Sequence, residues 1–153
     1  MKKMIYPIIA VLIIACDQLS KYAVRSSMQP GERIEILGRW FSICYVRNTG
    51  AAFSMFQGNR FVTVILTSLL IVGCIGYAVK LAGQGKKLFP LLLTCIAAGG
   101  ISNMIDRLTL GFVTDMISCG SFAIFNIADI FITCGCILMM IAVLFMFKNG
   151  EEL

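Results

Sequence analysis

The chain of 153 residues contains no histidine. That absence removes Ser-His-Asp triads, Cys-His pairs and HExxH zinc sites together, so any hydrolytic chemistry has to run on carboxylates, a lysine or a lone thiol. Charge is also scarce: 14% of residues are charged, against about a quarter in an ordinary soluble domain. With 59% hydrophobic residues and a mean hydropathy of +0.90, the chain is expected to reside in a membrane. Its net charge of +5 is scattered between apolar runs and forms no basic stripe, which argues against nucleic acid and for anionic lipid headgroups as partners. The seven cysteines, Cys16, Cys44, Cys74, Cys95, Cys119, Cys134 and Cys136, lack paired metal-ligand spacing. Most lie in or beside apolar runs, where cysteine packs as a small hydrophobe. No metal and no other cofactor is expected.

A spanning helix needs about 20 mostly apolar residues, and the sequence offers four, near residues 4–24, 61–82, 88–105 and 122–147. The expected fold class is an all-α membrane protein, one integral-membrane domain over residues 1–153 with a small β-hairpin or sheet between the first two helices. The hairpin is read from "RIEIL" and "FSICYV", which alternate as short strands around Gly38 and Arg39. Trp40, Phe41 and Tyr45 suit a membrane interface. "GQGKK" is a short link, so the second and third spans should pack as antiparallel neighbours. The start, "MKKMIYPIIAVLIIAC", also has the look of a bacterial lipoprotein signal peptide ending at Cys16, but three further spans argue against a simple lipoprotein. The positive-inside rule is close to balanced; Lys2 and Lys3 favour cytoplasmic termini.

Following the chain up and down the spans gathers the polar residues at the end opposite the termini. Asp17 and Lys21 lie late in the first span, Asn48 and Gly50 in the outer loop, and Asn103, Asp106 and Arg107 late in the third. Asp115 follows in the next loop, and Asn126 and Asp129 open the fourth span. An ionisable residue in such a place is a functional hypothesis by default. Asp17 with Lys21, and Asp106 with the adjacent Arg107, can be accounted for as interfacial ion pairs that snorkel to water. Asp115, in "GFVTDMI", and Asp129, well inside an apolar helix if that span begins at 122, have no basic residue within four positions. Brought together in low dielectric, one of two such carboxylates would hold its proton well above the reference pKa of about 3.9. That is the arrangement which activates water in aspartic proteases.

Five blocks in order, "DQLSK", "NTGAAFS", "GGISNMIDR", "VTDMI" and "FNIAD", resemble bacterial lipoprotein signal peptidase, also called signal peptidase II, over nearly the whole chain. The resemblance implies four helices with a small outer sheet and an aspartic endopeptidase in the bacterial cytoplasmic membrane, acting as a monomer at the extracytoplasmic face. Its substrate would be a diacylglyceryl-modified prolipoprotein, cut before the lipidated cysteine, and the inhibitor globomycin blocks the family. By position, Asp115 and Asp129 match the catalytic pair. Asn48, Gly50, Asn103, Arg107 and Asn126 match supporting or substrate-binding residues, and Asp17, Lys21 and Asp106 fall to stability and positioning. Other classes compete: a proton or ion carrier, which would place its acids near the midplane between repeats; a non-enzymatic assembly partner; and a Ser-Lys protease using Ser20 and Lys21, which are adjacent on a helix and so point apart.

Overall fold

The computed structural model describes residues 4–38, 40–50, 60–120 and 123–149. Apolar runs of spanning length have no water to bond their backbone, so they close their hydrogen bonds internally as helices. Four result: α1 (Ile5–Ser27), α2 (Arg60–Gly83), α3 (Leu88–Thr109) and α4 (Ile127–Asn149), each long and apolar enough to cross a membrane. Between them lie β1 (Arg33–Leu37), β2 (Phe41–Asn48), β3 (Val113–Cys119) and β4 (Ala123–Phe125).

The most buried of the four helices is α3, and α1, α2 and α4 all pack on it. Small residues permit the close approach, as expected where helices associate without a hydrophobic drive between them. A Cβ on Gly99 would stand 2.6 Å from the carbonyl oxygen of Ala128 in the first turn of α4, and one on Gly135 would stand 2.7 Å from Cγ1 of Ile96. Cys74, Ala78, Leu81, Phe89, Leu93, Ile96 and Ala97 fill the core shared by α2 and α3.

The four strands form one antiparallel sheet in the order β1-β2-β3-β4. The expected hairpin forms, and two further strands extend it: β3 where a loop is expected, and β4 where the fourth span is expected to start. Tyr45 departs from its expected interfacial place: it is buried with Val24, Met28 and Met116 and seats the sheet on the end of α1. Of the three expected interfacial aromatics, Trp40 is the exposed one, at 79%.

The pairing of β2 with β3 contains a bulge. Ile43 faces Ile117 and Val46 faces Asp115, so Cys44 and Tyr45 together oppose Met116. The extra residue does not leave its backbone unpaired: Gly31 N–H donates to the Tyr45 carbonyl at 2.8 Å, and Tyr45 N–H donates to the Glu32 carbonyl at 3.0 Å. The turn that follows α1 therefore holds the bulge in place.

Candidate active site

The bulge decides what Asp115 meets. Side chains alternate faces along a strand, and one inserted residue reverses that alternation beyond it. Past the bulge, Asn48 pairs with Val113, two residues from Asp115, so Asn48 and Asp115 share a face. The Asn48 amide donates to Asp115 Oδ2 at 2.9 Å, and its own Oδ1 accepts from Gly50 N–H at 3.0 Å, which fixes the direction of the amide.

Asp129 is placed by a different device. The fourth helix begins at Ile127, five residues later than the expected span, so Asp129 sits in its first turn and not deep within it. Asn126 precedes that turn. Its Oδ1 accepts from Asp129 N–H at 2.9 Å, while Asp129 Oδ2 accepts from Asn126 N–H at 3.2 Å. This reciprocal pair is a capping box, which satisfies two backbone donors otherwise orphaned at a helix start. With its oxygen committed to the cap, the Asn126 amide nitrogen is left to donate to Asp115 Oδ1 at 2.7 Å. One asparagine thus joins the two aspartates. Asp129 Oδ1 accepts from the Asn103 amide at 2.7 Å, so all four carboxylate oxygens receive an N–H.

Asp115 is almost fully buried, and it is bonded by neutral amides. Burial pushes its pKa up to about 6, and the neighbouring Asp129 adds to the rise; the Asn48 and Asn126 amides and the charge of Lys21 pull the other way. A carboxyl poised this near neutrality can hold or release a proton at working pH.

Behind the pair lies a second cluster. The expectation that Asp17, Lys21 and Asp106 snorkel to water is overturned: all three are fully or almost fully buried. Lys21 Nζ lies 2.7 Å from Asp17 Oδ2 and 3.4 Å from Asp106 Oδ2, and it donates to Asn103 Oδ1 at 2.8 Å. Asp106 has its ion pairs with Lys21 and Arg25 and not with its neighbour Arg107, because adjacent helical residues point apart; it also accepts from Thr114 N–H at 2.9 Å. Asp17 accepts from Ser102 Oγ at 2.7 Å and from Ala128 N–H at 2.8 Å, adding a carboxylate to the start of α4. Ser20 is turned away, its hydroxyl donating to the Asp17 carbonyl.

Every site residue expected from the sequence comes to this end of the bundle. Asn48, Asp115, Asn126, Asp129 and Asn103 are joined in that order by hydrogen bonds; Gly50 and Arg107 meet at the edge, where Arg107 Nη2 donates to the Gly50 carbonyl at 3.3 Å. Residues 51–59, which carry the rest of "NTGAAFS", fall outside the described residues. Sequence reasoning missed Arg25, Gln18 and Ser102. Arg25 could have been found, since Asp17, Lys21 and Arg25 repeat every four residues along one helix face. Gln18 bonds Ser102 and Asp106 across to α3 at 3.0 to 3.1 Å, for which the sequence carries no local signal.

Comparison with known proteins points to one family. The family model described as signal peptidase (SPase) II matches residues 9–145. A lipoprotein signal peptidase of Streptococcus agalactiae serotype Ia is 40% identical, with 99% of each chain covered. That of Shouchella clausii is 41% identical over 95% of this chain and 96% of its own. A bacterial membrane enzyme solved by the in meso method at 2.3 Å superposes with a TM-score of 0.89 and 32% identity, covering 97% of this chain and 92% of the other. With motifs, fold and relatives in agreement over almost the full length, this multi-pass bacterial membrane protein belongs to the signal peptidase II family.

Proposed function

We propose that the chain is a membrane-embedded aspartic endopeptidase that removes signal peptides from diacylglyceryl-modified prolipoproteins, cutting before the lipidated cysteine, with Asp115 and Asp129 as its catalytic pair. The protein would work as a monomer in the cytoplasmic membrane, with the pair at the extracytoplasmic face and the substrate's lipid chains remaining in the bilayer. One observation carries the reading: two aspartates from separate elements meet on the single amide of Asn126, at one end of the helix bundle.

The chemistry follows from two carboxyls sharing a proton. The ionised aspartate takes a proton from water as the water oxygen attacks the peptide carbonyl carbon. The protonated aspartate donates to the carbonyl oxygen; collapse of the tetrahedral intermediate returns that proton, and the leaving amine is protonated by the other acid. The pair titrates as a unit, so its apparent pKa values belong to both residues. Asn48, Asn103 and Asn126 hold the carboxyls in place, and Arg107 with Gly50 orients the substrate backbone at the edge of the site.

The test is cleavage of a diacylglyceryl prolipoprotein by purified protein in lipid, with chelator present, comparing wild type with Asp115→Asn and Asp129→Asn. Wild type should cut, and each folded variant should lose at least about a thousandfold in kcat/KM, as expected when a member of a catalytic unit is removed. Near-normal cleavage by either variant would remove the pair from the mechanism.

A further inference from the structure

The catalytic reading leaves a buried lysine without a chemical task. Lys21 is fully buried, and its ammonium has three donors and no acceptor. Those donors point to Asp17, Asp106 and Asn103. An amide facing such a group can present only its oxygen, because its NH2 would set donor against donor. The Asn103 oxygen is therefore held toward Lys21 at 2.8 Å, and its NH2 is held toward Asp129 Oδ1 at 2.7 Å.

We propose that Lys21 is a positioning residue for the proposed reaction: it sets the direction of the Asn103 amide, so that Asp129 always meets a donor there and never an acceptor. A reversed amide would offer Asp129 an oxygen, and Asp129 would satisfy it with the proton that the pair shares. With the amide fixed, that proton stays between the two aspartates, where the reaction needs it. Asp17 supports the same placement from the other side by accepting from Ala128 N–H, one residue before Asp129. The charges facing Lys21 and the pair come from every neighbouring element. On α1 they are Asp17 and Arg25, on α3 Asp106 and Arg107, on β3 Asp115 and on α4 Asp129. Within the second cluster, Asp17 and Asp106 balance Lys21 and Arg25, so the lysine can orient the amide without standing as an unpaired charge.

This inference rests on the catalytic reading above, and the experiment separates the two. Asn103→Asp keeps an acceptor for Lys21 and removes the donor to Asp129. The pair Asp17→Asn with Lys21→Met removes one charge of each sign and leaves Asp106 with Arg25. Both are compared with wild type, Asp115→Asn and Asp129→Asn for thermal stability and for kcat/KM across pH. Loss of orientation should lower kcat/KM by about 100-fold, the scale of a small misplacement at a reacting group, and displace the pH profile of the residual activity to higher pH. A purely structural role would lower thermal stability and leave the profile of the folded fraction where it is in wild type; that result overturns the proposal. If instead Asp115→Asn and Asp129→Asn cut normally, the catalytic reading fails first and the positioning role with it.

Discussion

Two pairs of aspartates lie at the same end of the bundle, Asp17, Asp106 and Asp115 buried and Asp129 partly so, yet the two pairs are stabilised by opposite means. Asp17 and Asp106 are compensated by full charges, Lys21 and Arg25. Asp115 and Asp129 are compensated by the partial charges of amides from Asn48, Asn103 and Asn126. An ion pair locks a carboxylate in its charged form, because removing either partner strands the other in low dielectric. An amide stabilises the same anion more weakly and leaves room for a proton. The first pair is thus suited to holding helices together and the second to changing its charge.

The contrast can be tested from either side. Asp106→Ala leaves the cluster one positive charge in excess, with Lys21 held by Asp17 alone and Arg25 without a carboxylate, and should cost about 3–5 kcal/mol, the usual cost of breaking a buried pair. Thermal or denaturant unfolding in lipid-like detergent would measure it, and a loss below about 1 kcal/mol would mean that the cluster is not a structural tie. For Asp115 the effect is a pH dependence. Its folded pKa of about 6 lies above the ordinary carboxyl value of 3.8, so the folded protein binds the proton more tightly than the unfolded chain does. The resulting stabilisation is complete below about pH 3.8 and is lost as pH rises through 6. The difference corresponds to about 3 kcal/mol. Unfolding measured from pH 4 to pH 7 should show this decline in wild type and a flatter profile in Asp115→Asn; parallel profiles would contradict the assignment. The smallest expected effect is at the edge: Arg107→Lys keeps the charge but loses the planar fork that reaches Gly50, and kcat/KM should fall about tenfold with little change in stability. Unchanged turnover would exclude Arg107 from orienting substrate.

The helices were legible because hydropathy over about 20 residues is decided locally. Asp115 and Asp129 stand out in the sequence because neither has a basic residue within four positions to account for it, and the structure brings them together. What escaped the sequence was settled by pairing at a distance. "GFVTDMISC" is as apolar as a loop returning to the membrane would be, and only pairing with β2 and β4 makes it a strand. Hydropathy starts the fourth span at 122 because "FAIF" continues the apolar run. The "NIAD" pattern, a cap residue followed three positions later by an acid, was the local signal for a helix starting at Ile127. Asp17 and Lys21 were correctly spaced for a pair, but their depth depends on Ser102, Asn103 and Ala128, which come from other helices.

The bulge at Cys44 and Tyr45 keeps two lengths of chain in step. With the extra residue looped into it, Val46 and Asn48 lie opposite Asp115 and Val113; drawn straight with all its residues, β2 would bring Tyr45 opposite Asp115 and turn Asn48 to the other side of the sheet. Losing the extra residue would restore an even ladder and leave Asn48 where it stands, whereas losing one residue between the bulge and Asn48 would carry its amide away from Asp115. Where the outer hairpin is shortened therefore matters more to the site than by how much.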